Sequence, residues 1–100
     1  MQELRAQLAE ALDEAELEWL KPHIQRDVVV VVHPQLDLLD VGIAIARDDT
    51  LSVQHWISEQ LIHKPSSEQL ADWNREQTIR FQALIVQPYV LVQESMAKGV

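Results

Sequence analysis

Five consecutive valines, Val28 to Val32, constrain this chain more than any other feature. Each is β-branched and stiff about χ1, so the run favours a pleated strand over a helix. No polar residue interrupts it until His33, so both faces of the strand need cover, and the strand is expected at the centre of the core. Pro34 cannot donate to a ladder and pushes His33 towards an extended backbone, which ends the strand there. The period then changes. Leu36, Leu39, Ile43 and Ala46 form one helical stripe, and Leu38, Val41 and Ile45 a second. Only a narrow line through Asp37, Asp40, Ala44 and Arg47 separates them, which predicts a mostly buried helix ending near Arg47.

The flanking segments read as helices and short strands. Leu4, Leu8, Ala11 and Leu12 stand at helical spacing among polar residues, giving an amphipathic N-terminal helix. Asp13 with Glu16 resembles a capping box and predicts a second helix, with Leu17, Leu20 and Ile24 inward and a kink or restart near Lys21 imposed by Pro22. After Asp48 and Asp49, the face Val53, Trp56, Ile57, Gln60 and Leu61 predicts a helix running to about Ile62. Ser66 with Gln69 reads as another capping box, opening a brief helix anchored by Leu70 and Trp73. Ile79 to Val86 returns to strand character. Pro88 ends or bulges that strand, and Tyr89 to Val92 is a third strand or its continuation.

These elements predict an α+β fold: a small sheet of two to three strands around the central valine strand, packed by about five helices. The valine strand is expected to pair with the segment Phe81 to Val86. Residues 1–100 form a single globular domain, with a helical N-terminal segment at 1–26 and a frayed tail at 94–100. A sheet this small has much edge for its size, which favours self-association as a homodimer or docking to another protein.

Composition narrows the functional classes. With 47% apolar residues in 100, one core can be built without staples, and the absence of cysteine removes disulfides and thiol chemistry and leaves the redox compartment open, with a cytoplasmic home as the default. Sixteen acidic against eight basic residues give a net charge of −8, which opposes binding to nucleic acid or to an anionic membrane surface. No apolar run reaches membrane-spanning length, and the start of the sequence does not resemble a signal peptide.

The segments VVVVVHPQLDLLDVGIAIA, HWISEQLIHKPS, ADW and ALIVQPYVLVQ, above all P-x-L-D-L at Pro34 to Leu38 and Q-P-Y-V-L-x-Q at Gln87 to Gln93, resemble a small bacterial family, domain of unknown function 2288. The similarity runs roughly from Leu4 to Gln93. It implies a free-standing bacterial domain and carries over no activity, cofactor or catalytic residue.

Three groups of residues are candidates for function. His33, Asp37 and Asp40 gather where the valine strand passes into the buried helix, and two carboxylates three apart can bind a divalent cation or share a proton. The alternative is structural, with Asp37 as N-cap and Asp40 at the third helical position, both favoured by the positive end of the helix dipole. His55, Glu59 and His63 recur every four residues, yet the segment lacks H-E-x-x-H, so a solvated helix face is expected. Trp73 and Tyr89 would mark a partner surface if exposed together. No nucleophile elbow or glycine-rich phosphate loop is present; the glycines are Gly42 and Gly99. The expectation is therefore a non-enzymatic protein-interaction or assembly module without cofactor. The alternative is a small-ligand or divalent-cation domain, or a weak hydrolase, using His33, Asp37 and Asp40.

Overall fold

The computed structural model describes residues 2–76 and 79–94. The chain order is α1 (Gln2–Ala11), β1 (Asp13–Glu16), α2 (Leu17–Gln25), β2 (Val29–Val32), α3 (Leu38–Ala46), α4 (Thr50–Ser58), β3 (Ile62–His63), α5 (Ser67–Arg75), β4 (Arg80–Val86) and β5 (Tyr89–Glu94). The class is α+β with five helices, but the sheet has five strands in the order β1-β4-β5-β2-β3 and not the expected two to three. Positions 95–100 of the expected frayed tail lie outside the described residues.

Two short strands account for the difference. Asp13 and Glu16 do not open a helix as a capping box. They bound β1, which lies antiparallel to β4 with Asp13 opposite Ala83 and Glu16 opposite Arg80. Ala15 is the buried residue of this strand, and Arg80 holds Glu14 at 3.5 Å and Glu16 at 3.6 Å across the ladder. The helix expected to reach Ile62 ends at Ser58, and Ile62 crosses to pair with Val32 as part of β3. Neither DEAE nor IH alternates like a half-buried strand, so pairing with an existing strand, and not local propensity, makes them extended.

The valine strand is also placed differently. β5, not β2, is the middle strand, and β2 runs parallel to it with Val29 opposite Val90 and Val31 opposite Val92. Phe81 to Val86, the expected partner, pairs with β5 instead. The cover on both faces is present, because the period of two sends alternate valines to opposite sides. Val29 and Val31 join Leu20, Trp73, Phe81 and Val92 in a core beneath α2 and α5. Val32 joins Leu38, Val41, Leu84 and Leu91 beneath α1 and α3, and Val30 is only half-buried on that side.

The helix ends share one device. Asp27, Asp48 and Gln60, just beyond the ends of α2, α3 and α4, have φ of 64°, 60° and 63°. In each case the next residue donates back over the turn, Val28 to His23, Asp49 to Ala44 and Leu61 to Trp56, which closes a Schellman motif. Glycine usually occupies this left-handed position; here aspartate and glutamine do. α2 continues through Pro22 instead of restarting at Lys21.

Candidate functional site

The β2–α3 junction brings Asp37 and Asp40 together, but around a cation supplied by the chain itself. Asp37 is the N-cap of α3, its Oδ1 accepting from the Leu39 amide at 2.9 Å. Its Oδ2 accepts from Arg5 of α1 at 3.0 Å, and the other Arg5 nitrogen donates to Asp40 Oδ1 at 2.8 Å. The two carboxylates raise the Arg5 pKa above its ordinary value, the hydrogen bond to Asp40 contributing most and that to Asp37 next. This fork ties α1 to the start of α3. His33 is turned into its own loop, where Nδ1 accepts from the Gln35 amide at 2.9 Å. The His33, Asp37 and Asp40 triplet is therefore a junction between elements. Among the described residues, no three His, Asp or Glu side chains are grouped to hold a metal ion.

His55, Glu59 and His63 do not share a helix face. His55 lies in α4, Glu59 is its C-cap and His63 belongs to β3, where its Nδ1 lies 2.9 Å from the Lys64 carbonyl. Trp73 and Tyr89 are not exposed together. Trp73 is 2% exposed, packs edge-on against Phe81 with ring centroids 4.8 Å apart, and donates from Nε1 to Glu94 at 2.9 Å, whereas Tyr89 is 40% exposed. The indole is a core residue whose polar edge has found its partner.

A broad concavity lies elsewhere. It is a groove of about 680 Å³ between the α3–α4 pair and the outer part of the sheet. Val30 and Ile62 come to it from β2 and β3, Ile45 from α3, Val53 and Ile57 from α4, and Tyr89 from the start of β5. Asp48, Asp49, His63 and Lys64 add charge to a lining that is otherwise mostly apolar. α4 buries none of its residues, and its Leu51 and Ile57 are 79% and 54% exposed. A nine-residue helix bearing Leu51, Val53, Trp56 and Ile57 has more apolar surface than one contact stripe can cover. Sequence reasoning assigned Ile57 to an inward face. The available signal was Leu51, which falls outside the stripe through Val53 and Trp56.

Fold and site together define a small acidic α+β domain that presents a mostly apolar groove. The family model described as Protein of unknown function (DUF2288) matches residues 3–94, and the chain belongs to this family. The fold is similar to the NMR solution structure of PA1075 from Pseudomonas aeruginosa, with a TM-score of 0.81 and 27% identity, covering 100% of this chain and 92% of that one. No curated protein matches.

Proposed function

We propose that this chain is a non-enzymatic protein-interaction module of the bacterial cytoplasm, and that it docks a protein on the groove face of α4. The observation that carries the reading is a helix with four large apolar side chains, none fully buried, beside a mostly apolar groove. Exposed apolar surface gathered in one place marks interaction sites, because scattered residues would not leave a continuous area to remove from water. The bacterial setting is supported by the Pseudomonas aeruginosa relative, and the cytoplasmic one is the default for a sequence whose lack of cysteine leaves the redox compartment open. Among the described residues, no helix is long and apolar enough to cross a membrane.

The cation-binding reading gains little from the geometry. A divalent ion at Asp37 and Asp40 would have to displace Arg5, which already supplies a donor to each carboxylate. Added magnesium or calcium is expected to leave the melting temperature unchanged; a clear rise would revive that site.

A photoreactive residue in place of Ile57 tests the docking reading in cells. Adducts of defined mass, each component identified by mass spectrometry, are expected from position 57 and not from the exposed Glu10 of α1. Position 57 giving no adduct would overturn the reading.

A further inference from the structure

We propose that the occupant of the groove is a second copy of this chain, in a two-fold dimer that seats α4 of each subunit against the groove of the other. The inference rests on the docking reading above and names its partner. A two-fold interface must be complementary to itself, so a projection and a recess have to lie on the same face. This face has both. Going round α4, Thr50, Val53, Gln54 and Ile57 line the groove, and Leu51, 79% exposed, lies about 60° further round than Gln54. Leu51 is the knob, and the space over Val30 and Ile62 is the hole.

The charges of the lining are also self-complementary. Asp48 and Asp49 come from the α3–α4 turn, and His63 and Lys64 from β3 and the residue after it. Asp49 is committed to capping α4, with Oδ1 accepting from the Ser52 amide and Oδ2 from its hydroxyl. Asp48 remains as the available acid. Lys64 is the base of the lining; it pairs with Asp27 at 2.8 Å, and since both side chains are largely exposed this pair is weak enough in water to exchange for a partner's carboxylate. A two-fold axis through the face sets Asp48 of one subunit against Lys64 of the partner subunit twice over. The chain as a whole carries −8, but this lining carries both signs, which suits a copy of itself better than a strongly basic stranger.

Pairing through the sheet edges is the competing way to dimerise, and the edges oppose it. Antiparallel self-pairing of β1 would put Asp13 opposite Glu16 in both directions, like charges facing one another. β3 offers two residues before Lys64 and Pro65. The two most exposed large apolar side chains among the described residues, Leu51 and Ile57, both lie on α4.

Sedimentation velocity across a dilution series from micromolar to millimolar, with circular dichroism to confirm folding, tests the proposal. The wild type is expected to shift from monomer to dimer, and Leu51→Glu and Ile57→Glu to weaken the dimer by about tenfold or more, as loss of a central apolar contact does. Asp48→Lys and Lys64→Asp are each expected to weaken it alone, since like charges then meet at both contacts. An equimolar mixture of these two variants is expected to recover association as a heterodimer, in which both contacts are again opposite in sign. A wild type that stays monomeric throughout, a dimer indifferent to Ile57→Glu, or a mixture no stronger than its components overturns the second-copy proposal. The cellular cross-link separates the two ideas. If position 57 then captures a different protein, the docking reading stands without the dimer; if it captures nothing, both fall.

Discussion

Gln93 and Leu36 lie 57 positions apart in the sequence and are joined by a hydrogen bond of 2.8 Å, Gln93 Nε2 donating to the Leu36 carbonyl. The same nitrogen donates to the His33 carbonyl at 3.0 Å. The side-chain amide of β5 thus closes the loop that carries the chain from the valine strand into α3. Leu36 of the segment Pro34 to Leu38 and Gln93 of the segment Gln87 to Gln93 thus meet directly, although the two segments are far apart in the sequence.

Gln93→Leu should cost about 1 kcal/mol, because it deprives the part-buried Leu36 carbonyl of its donor, while the exposed His33 carbonyl can turn to water. Urea denaturation measures the loss, and hydrogen exchange should localise it to amides near residues 33–37. A midpoint equal to the wild type would show that water replaces the amide fully.

Asp37 performs two tasks that substitution separates. Asp37→Ala removes both the cap on Leu39 and the contact with Arg5, and should destabilise by about 1 kcal/mol. Asp37→Asn keeps a capping oxygen and loses only the exposed ionic contact, whose value is small in water. Thermal melts should therefore rank wild type and Asn together, with Ala below; Asn falling as far as Ala would transfer the main role to the Arg5 bridge.

Gly42 faces the sheet from α3, and a Cβ there would sit 2.6 Å from Leu84 Cδ2. Leu84 is fully buried between the helix and the strands, so it has little room to withdraw. Gly42→Ala gains about 1 kcal/mol of helix propensity, and overpacking costs about 1–3 kcal/mol, so a net loss of stability is expected. Leu84→Val in the same chain should return part of it by removing the obstructing carbon. A higher melting temperature for Gly42→Ala alone would show that Leu84 finds another rotamer.

Gln60 holds φ at 63° to end α4, a conformation in which its Cβ is crowded. Gln60→Gly should stabilise the protein by about 1 kcal/mol at most, the relief of that crowding exceeding the extra freedom of glycine in the unfolded chain. Chemical denaturation tests this, and a destabilised variant would mean that the side chain contributes contacts outweighing the relief.

The sequence by itself determined the elements with a strong local signal. Branching at five successive positions from Val28 made Val29 to Val32 a strand, and the absence of polar residues required cover on both sides. Two stripes of leucine, valine and isoleucine made Leu38–Ala46 a buried helix, and Asp37 and Ser66 marked helix starts because a short acceptor there satisfies a free amide. The tertiary structure decided the rest. Asp13–Glu16 and Ile62–His63 are strands only because β4 and β2 offer unpaired edges, which no local pattern records. Which strand takes the middle depends on pairing between β2 and β5, about sixty residues apart, and hydrophobic periodicity fixes faces without fixing neighbours. The carboxylates that looked reactive were matched by Arg5, more than thirty positions away. The groove exists because α4 docks by its Val53 and Trp56 side and leaves Ile57 and Leu51 facing outwards, a relation between elements that a one-dimensional pattern cannot carry.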